Sequence, residues 1–341
     1  IVRSPLRIWA DGSAAVSMFF VLSGFVLSIR HFRDSQRPQL ENFSLAGFIV
    51  SRVCRIFLPY LVVLLASAAF WHLSAQRLPT IPAAEPEFFR QWVERPTVHS
   101  VFSQAKLYLV GAPYPLVPQA WTLSVELVLS LLIPVGVLLA GRGSAWLVLA
   151  VVLASYAGAS PFIVHFAAGI LLAKFYRPII AMLEPRPGWR TLVAVLGVVL
   201  YTWRGFFYES PVAHRGNVDW YLTAAGSVAL LAVVSASPGL RTWLSHGLNE
   251  RIGRVSYSIY LCHFAVLLTL TPRFLAAFDR ASLIGAWAAG LVFTIIACLL
   301  IAWPMYLGIE APTIALGKAL ARRVAAISWL STSHTCRPAR P

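Results

Sequence analysis

Pro118-Gln119-Ala120-Trp121-Thr122-Leu123-Ser124-Val125-Glu126 runs straight into Leu127-Val128-Leu129-Ser130-Leu131-Leu132-Ile133-Pro134. One carboxylate therefore stands about two turns inside an apolar run. A charge at that depth in a bilayer costs roughly 2.5–3.5 kcal/mol on insertion scales, so Glu126 is a functional-site candidate. Most other acids lie in polar loops. Only Glu310, near the end of the last apolar run, has a comparable setting.

The rest of the chain has the same character. Of its 341 residues 58% are hydrophobic and 12% charged, with mean hydropathy +0.72. A soluble domain carries about 25% charged residues, so this composition belongs to a polytopic membrane protein. The net charge of +15 then reads as topology and anionic-lipid contact rather than nucleic-acid binding. Cys54, Cys262 and Cys298 lie in or beside apolar runs and Cys336 in the tail, with no pair at metal-ligand spacing. They read as small packing residues, and no metal site is expected. The first residue is Ile1, and residues 1–13 look like a loop rather than a signal peptide. The expectation is that something upstream is missing.

A bilayer core needs about 20 helical residues. Apolar runs at about 14–29, 53–73, 120–140, 145–159, 161–176, 191–208, 220–237, 256–276 and 283–307 predict an all-α, polytopic integral membrane helical bundle of about nine transmembrane helices. When the loop after the first span is put in the cytoplasm, eighteen Lys and Arg residues fall inside and ten outside, as the positive-inside rule requires. The N-terminus then starts outside and the C-terminus ends inside. The expected layout is a membrane-embedded domain over 1–323 and a loose cytoplasmic tail over 324–341. The long connection 74–119, with seven prolines and Phe88, Phe89 and Trp92, reads as a partly ordered cover on the outer face.

Several motifs admit plain readings. Phe19-Phe20-Val21-Leu22-Ser23-Gly24-Phe25 suits close helix packing through small residues, and Ser23 lacks the elbow of a nucleophile. Arg52 and Arg55 share a helix face. They suit either a lipid-facing anchor or a grip on phosphates. Ser256, Tyr260 and His263 recur at helical spacing as one polar stripe, with His263 a candidate for proton transfer or a satisfied structural histidine. His214-x4-Asp219 has the spacing of glycerolipid acyltransferases, but chance explains it. No paired Gly/Pro-broken segments mark the inverted repeats of a transporter.

Taken together, the ordered motifs resemble the membrane-bound acyltransferase-3 family of bacterial O-antigen and exopolysaccharide O-acetyltransferases. They are Phe19 to Phe25, Arg52-x-x-Arg55 with Pro59-Tyr60, Ala120 to Glu126, Gly253 to His263, and Glu310-Ala311-Pro312. The resemblance implies ten transmembrane helices and transfer of an acyl group, usually acetyl from acetyl-CoA, to a carbohydrate hydroxyl. It implies an inner-membrane protein with a cytoplasmic C-terminus. Acyl-CoA is the donor substrate, no cofactor is tightly bound, and the partners are a carbohydrate or glycosylated acceptor and the lipid bilayer.

The implied site residues are Glu126 and His263 for catalysis, with Arg52, Arg55, Trp121, Tyr257 and Tyr260 for substrate. Arg52 and Arg55 fall on the acyl-CoA side. Trp121 and Glu126 fall in the outer half, with Glu126 about 9 Å below the outer face. The rival readings are a transporter or flippase and a structural pseudoenzyme. The family's first helix carries an Arg and, after ten intervening residues, a His suspected as base; nothing here matches it. The resemblance therefore predicts that the 341-residue chain alone is inactive. Robust glycan acetylation by that chain, assayed in membranes with labelled acetyl-CoA, would refute this.

Overall fold

The computed structural model describes residues 12–32, 38, 43–74, 95–107, 114–206, 217–276 and 283–335. The chain start, Phe88, Phe89, Trp92, His214 and Cys336 lie outside them. The helices are, in order, α1 (Gly12–Ile29), α2 (Leu45–Ser74), α3 (Val98–Ala105), α4 (Ala120–Leu131), α5 (Ile133–Arg142), α6 (Ser144–Tyr156), α7 (Phe162–Lys174) and α8 (Tyr176–Leu183). There follow α9 (Pro187–Tyr201), α10 (Trp203–Phe206), α11 (Val218–Ala236), α12 (Pro238–Leu244), α13 (Gly247–Ala276), α14 (Leu283–Met305) and α15 (Ala311–Thr335). Among the described residues there is no strand.

Every predicted apolar run carries a helix. Five helical stretches are long and apolar enough to cross a membrane, seven if each of two bent pairs counts as one span. Ser144–Tyr156 and Pro187–Tyr201 are shorter apolar helices. The protein is thus an all-α, multi-pass membrane bundle. Two details correct the sequence reading. Broken segments do exist: α4 and α5 meet at 47°, and α7 and α8 at 69°. Pro134 opens α5, where its missing N–H is harmless and its ring blocks continuation of the helix before it. The tail boundary at 324 also fails, because α15 continues to Thr335. It joins α14 through a π-helical turn, Tyr306–Glu310.

The chain forms two compact units. One comprises Ile1–Phe43 with Val128–His246, the other Ser44–Leu127 with Gly247–Pro341. In the first, α1 packs on α7 with backbones almost in contact. A Cβ at Gly24 would lie 2.4 Å from the Phe166 carbonyl oxygen, and one at Gly169 only 2.2 Å from that of Val21. Phe20 fills the space beside this crossing, its ring 4.6 Å from Phe162 and 5.7 Å from Phe166. The Phe19-to-Phe25 motif is therefore a packing seam. His165, fully buried, bonds Ser17 Oγ across the same interface at 3.2 Å. Lys174 closes the end of α5, its Nζ donating to the Ala140 carbonyl at 2.8 Å. That is the helix end where a cation is favoured. An apolar cavity of about 210 Å³ between α5, α6 and α7 is lined by residues such as Gly136, Leu147 and Ile170, and offers no group for chemistry.

In the second unit, α2 runs alongside α15 through small residues. A Cβ at Gly317 would meet Cys54 Cβ at 2.9 Å. The core gathers Tyr60, Leu64, Leu107, Leu116, Val117, Ala120, Leu123, Leu261 and Leu268. Part of the long connection belongs to this core. Thr97 and Ser100 form a capping box that starts α3. Gln104 then accepts from the Leu116 N–H at 3.1 Å while its carbonyl takes the Tyr60 hydroxyl at 2.8 Å. Tyr114, Leu116 and Val117 are all buried, so the chain reaches α4 from inside the core.

The α1–α7 crossing gives the first structural prediction. Gly169→Val is expected to destabilise by about 1–3 kcal/mol, the usual cost of overpacking, read as a lowered thermal midpoint in detergent. Gly188→Ala, where an added Cβ meets nothing within 4 Å, is the control and should leave the midpoint in place.

Candidate functional site

Glu126 has a partner. Arg52 Nη2 donates to Glu126 Oε1 at 2.8 Å, and both side chains are 8% exposed. The contact corrects the placement of Arg52 at the cytoplasmic rim and Glu126 in the outer half. The helix carrying Arg52 begins at Leu45, not 53, which sets the guanidinium about 10 Å inside its helix. The start of α4 is itself buried, with Gln119 at 4% and Ala120 at 0% exposure.

The ion pair is only half used. Arg52 Nε and Glu126 Oε2 are both buried and make no hydrogen bond among the described residues. Bidentate arginine–carboxylate pairs satisfy both atoms of each fork. Here one donor and one acceptor are left over on a single buried pair. A hydroxyl, which can donate to one and accept from the other, has the chemistry to occupy them.

The neighbouring residues make a stripe on α4. Gln119, Thr122 and Glu126 follow i, i+3, i+7, which puts them on one helix face. Gln119 Nε2 donates to the carbonyls of Tyr260 at 3.1 Å and Leu261 at 2.8 Å. The Tyr260 hydroxyl bonds Thr122 Oγ1 and also reaches the Gln119 carbonyl at 3.2 Å. Tyr257 donates to the Ile56 carbonyl at 2.8 Å, one turn beyond Arg52 on α2. Two of the predicted substrate residues, Tyr257 and Tyr260, thus lock α13 onto the two helices that carry the ion pair.

The other predicted residues fall differently. Ser256 is exposed and bonds the Gly253 carbonyl at 2.8 Å, so the expected stripe of Ser256, Tyr260 and His263 does not form. His263 is half-buried, with Nδ1 2.6 Å from the Tyr260 carbonyl and its ring against Tyr260 and Phe264. No bond joins it to Glu126. Arg55 is exposed and has no ion pair among the described residues. Trp121 is 36% exposed. It sits five residues before Glu126, about 140° around the helix, so the two do not share a face. Glu310 is buried at the end of the π-helical turn and accepts from Ser258 Oγ at 2.6 Å. Asp219 of the glycerolipid-like spacing is held by Arg204 Nε at 2.9 Å.

Sequence reading missed Gln119 and Thr122, although their spacing from Glu126 was in plain view. The signal was masked because the segment before Ala120 counted as loop, whereas its backbone is already turning: Ala120 N–H bonds the Val117 carbonyl at 2.8 Å and Thr122 N–H that of Gln119 at 3.1 Å.

A family model described as an acyltransferase domain, acyltransferase 3, matches residues 2–303. No curated protein and no solved structure matches the chain.

The ion pair makes a stability prediction. Arg52→Met strands a buried carboxylate and should cost about 3–5 kcal/mol. Adding Glu126→Leu should restore most of it, since paired removal of buried charges is often neutral. Unfolding midpoints in detergent decide this. A double variant no more stable than Arg52→Met would contradict it.

Proposed function

From the fact that this chain belongs to the acyltransferase-3 family, a family of acyltransferases, we propose that it transfers an acetyl group from acetyl-CoA to a hydroxyl of a cell-surface or exported carbohydrate. The observation that carries the reading is the half-used ion pair, with Glu126 Oε2 and Arg52 Nε buried and unpartnered. The acceptor hydroxyl donates to Glu126 Oε2. As its oxygen attacks the thioester carbonyl, the proton passes to the carboxylate. The C–S bond then breaks, and the CoA thiolate takes the proton back as the thiol. Arg52 N–H supports the charge that develops on the oxygens.

Arg55, exposed and without an ion pair among the described residues, is the guanidinium for the CoA phosphates. Tyr257 and Tyr260 hold α13 against the site and border the substrate. Trp121 offers an indole edge to the acceptor from the adjoining face, and His263 serves through Tyr260 rather than at the reacting atoms. An enzyme of this kind belongs in the inner membrane with its C-terminus in the cytoplasm, where acyl-CoA is available.

The test is Glu126→Gln in the protein expressed from its native gene. The amide keeps the size of the side chain and a carbonyl to accept from Arg52, but removes the base. Transfer of labelled acetyl to membrane glycan should fall by about 10²–10⁴-fold at an unchanged protein level. Transfer at the wild-type rate would remove Glu126 from the mechanism.

A further inference from the structure

Gln119 has an atom that the mechanism above does not use. Its side chain is 4% exposed, and its Oε1 is buried with no hydrogen-bond partner. Orphaned buried acceptors are rare in native folds. The amide cannot be flipped to cure it. Nε2 serves two carbonyls, those of Tyr260 and Leu261, and a reversed amide would aim its oxygen at both. The backbone at this position is held as well. Its own carbonyl takes the Thr122 hydroxyl at 2.8 Å and the Tyr260 hydroxyl at 3.2 Å. A rigid, preorganised acceptor stands on the α4 face that carries Glu126.

We propose that Gln119 determines acceptor specificity: its Oε1 accepts a hydrogen bond from a second hydroxyl of the molecule whose first hydroxyl is acylated at Glu126. This rests on the acyl-transfer reading. Seven residues separate the two positions, about 10 Å along the helix axis. A small alcohol offering one hydroxyl cannot engage both. The acceptor is therefore a molecule with more than one hydroxyl. Sites built to bond a substrate hydroxyl discriminate strongly against partners that lack it, because the buried group is otherwise left unpaired.

The test separates the acceptor role of Gln119 from its clamp role. In Gln119→Lys, the ammonium can still donate to the Tyr260 and Leu261 carbonyls but accepts nothing. In Gln119→Glu, an accepting oxygen remains and the donors are lost. Labelled acetyl transfer is titrated separately against acetyl-CoA and against the membrane glycan fraction of the source cells. For Gln119→Lys the glycan KM should rise about ten- to a hundredfold, with kcat and the acetyl-CoA KM little changed. Gln119→Glu should lower the thermal midpoint and keep the glycan KM near wild type.

An unchanged glycan KM in Gln119→Lys overturns the inference, as does a rise confined to the acetyl-CoA KM, which would give the atom to the donor. If Gln119→Lys fails to accumulate, Gln119→Met, read the same way, replaces it. A wild-type protein expressed from its native gene that transfers no label removes the acyl-transfer reading, and this inference with it. Transfer by wild type with an unmoved Gln119→Lys removes this inference alone.

Discussion

Taking a guanidinium and a carboxylate out of water costs several kcal/mol per ion even after relaxation. The second unit is arranged around that requirement. Arg52 and Glu126 meet at 2.8 Å, and the residues around them hold the two helices so that they can meet. Tyr257 bonds the α2 backbone near Arg52, while Tyr260 and Gln119 fasten α13 to the start of α4. Hydrogen bonds within an apolar surrounding are strong because water does not compete. The same surrounding makes the remaining unpaired atoms, Arg52 Nε and Glu126 Oε2, costly to leave empty. Retaining them in a native protein is consistent with a site that a substrate completes.

The first unit shows how packing without polar chemistry is achieved in the same chain. Lipid tails are as apolar as leucine, so helices gain little from hydrophobic burial and associate through close contact instead. Gly24 and Gly169 let α1 and α7 approach until carbonyl oxygens occupy the space of a side chain. Gly226 does the same against Tyr201 and Gly197. Several polar groups inside this unit are satisfied locally, His165 with Ser17, Lys174 with the end of α5, and Asp219 with Arg204, while Ser28 Oγ and Ser155 Oγ are buried without a partner among the described residues. In the second unit the unfilled atoms include a donor and an acceptor of one buried ion pair, Arg52 Nε and Glu126 Oε2, and that directs attention there. The broken helix pairs, taken alone, would suit a transporter. The family match across residues 2–303 decides for an acyltransferase.

Much of this architecture was legible in the residues. The apolar runs became helices because a bilayer leaves the backbone no other economical way to satisfy its N–H and C=O groups. Glu126 stood out because an isolated charge in such a run needs a reason, and the motifs in order led to the family. What the sequence could not express was relation across long separations. Arg52 and Glu126 are 74 residues apart, and Gln119 and Leu261 are 142 apart. The expected stripe of Ser256, Tyr260 and His263 failed for the same reason. Helical spacing says which residues share a face, not which face turns inward, and here Ser256 turns outward.

Composition and periodicity therefore determined the class, the helices and the residues worth suspicion, because those follow from the local cost of placing each side chain and backbone group in hydrocarbon. Only the tertiary structure brought Arg52 to Glu126. It also showed that the stretch before Ala120 is core rather than loop, and that one donor and two acceptors stay open around the pair. Hydrogen bonding depends on distances of a few tenths of an ångström and on orientation, and those arise only when distant segments are packed together.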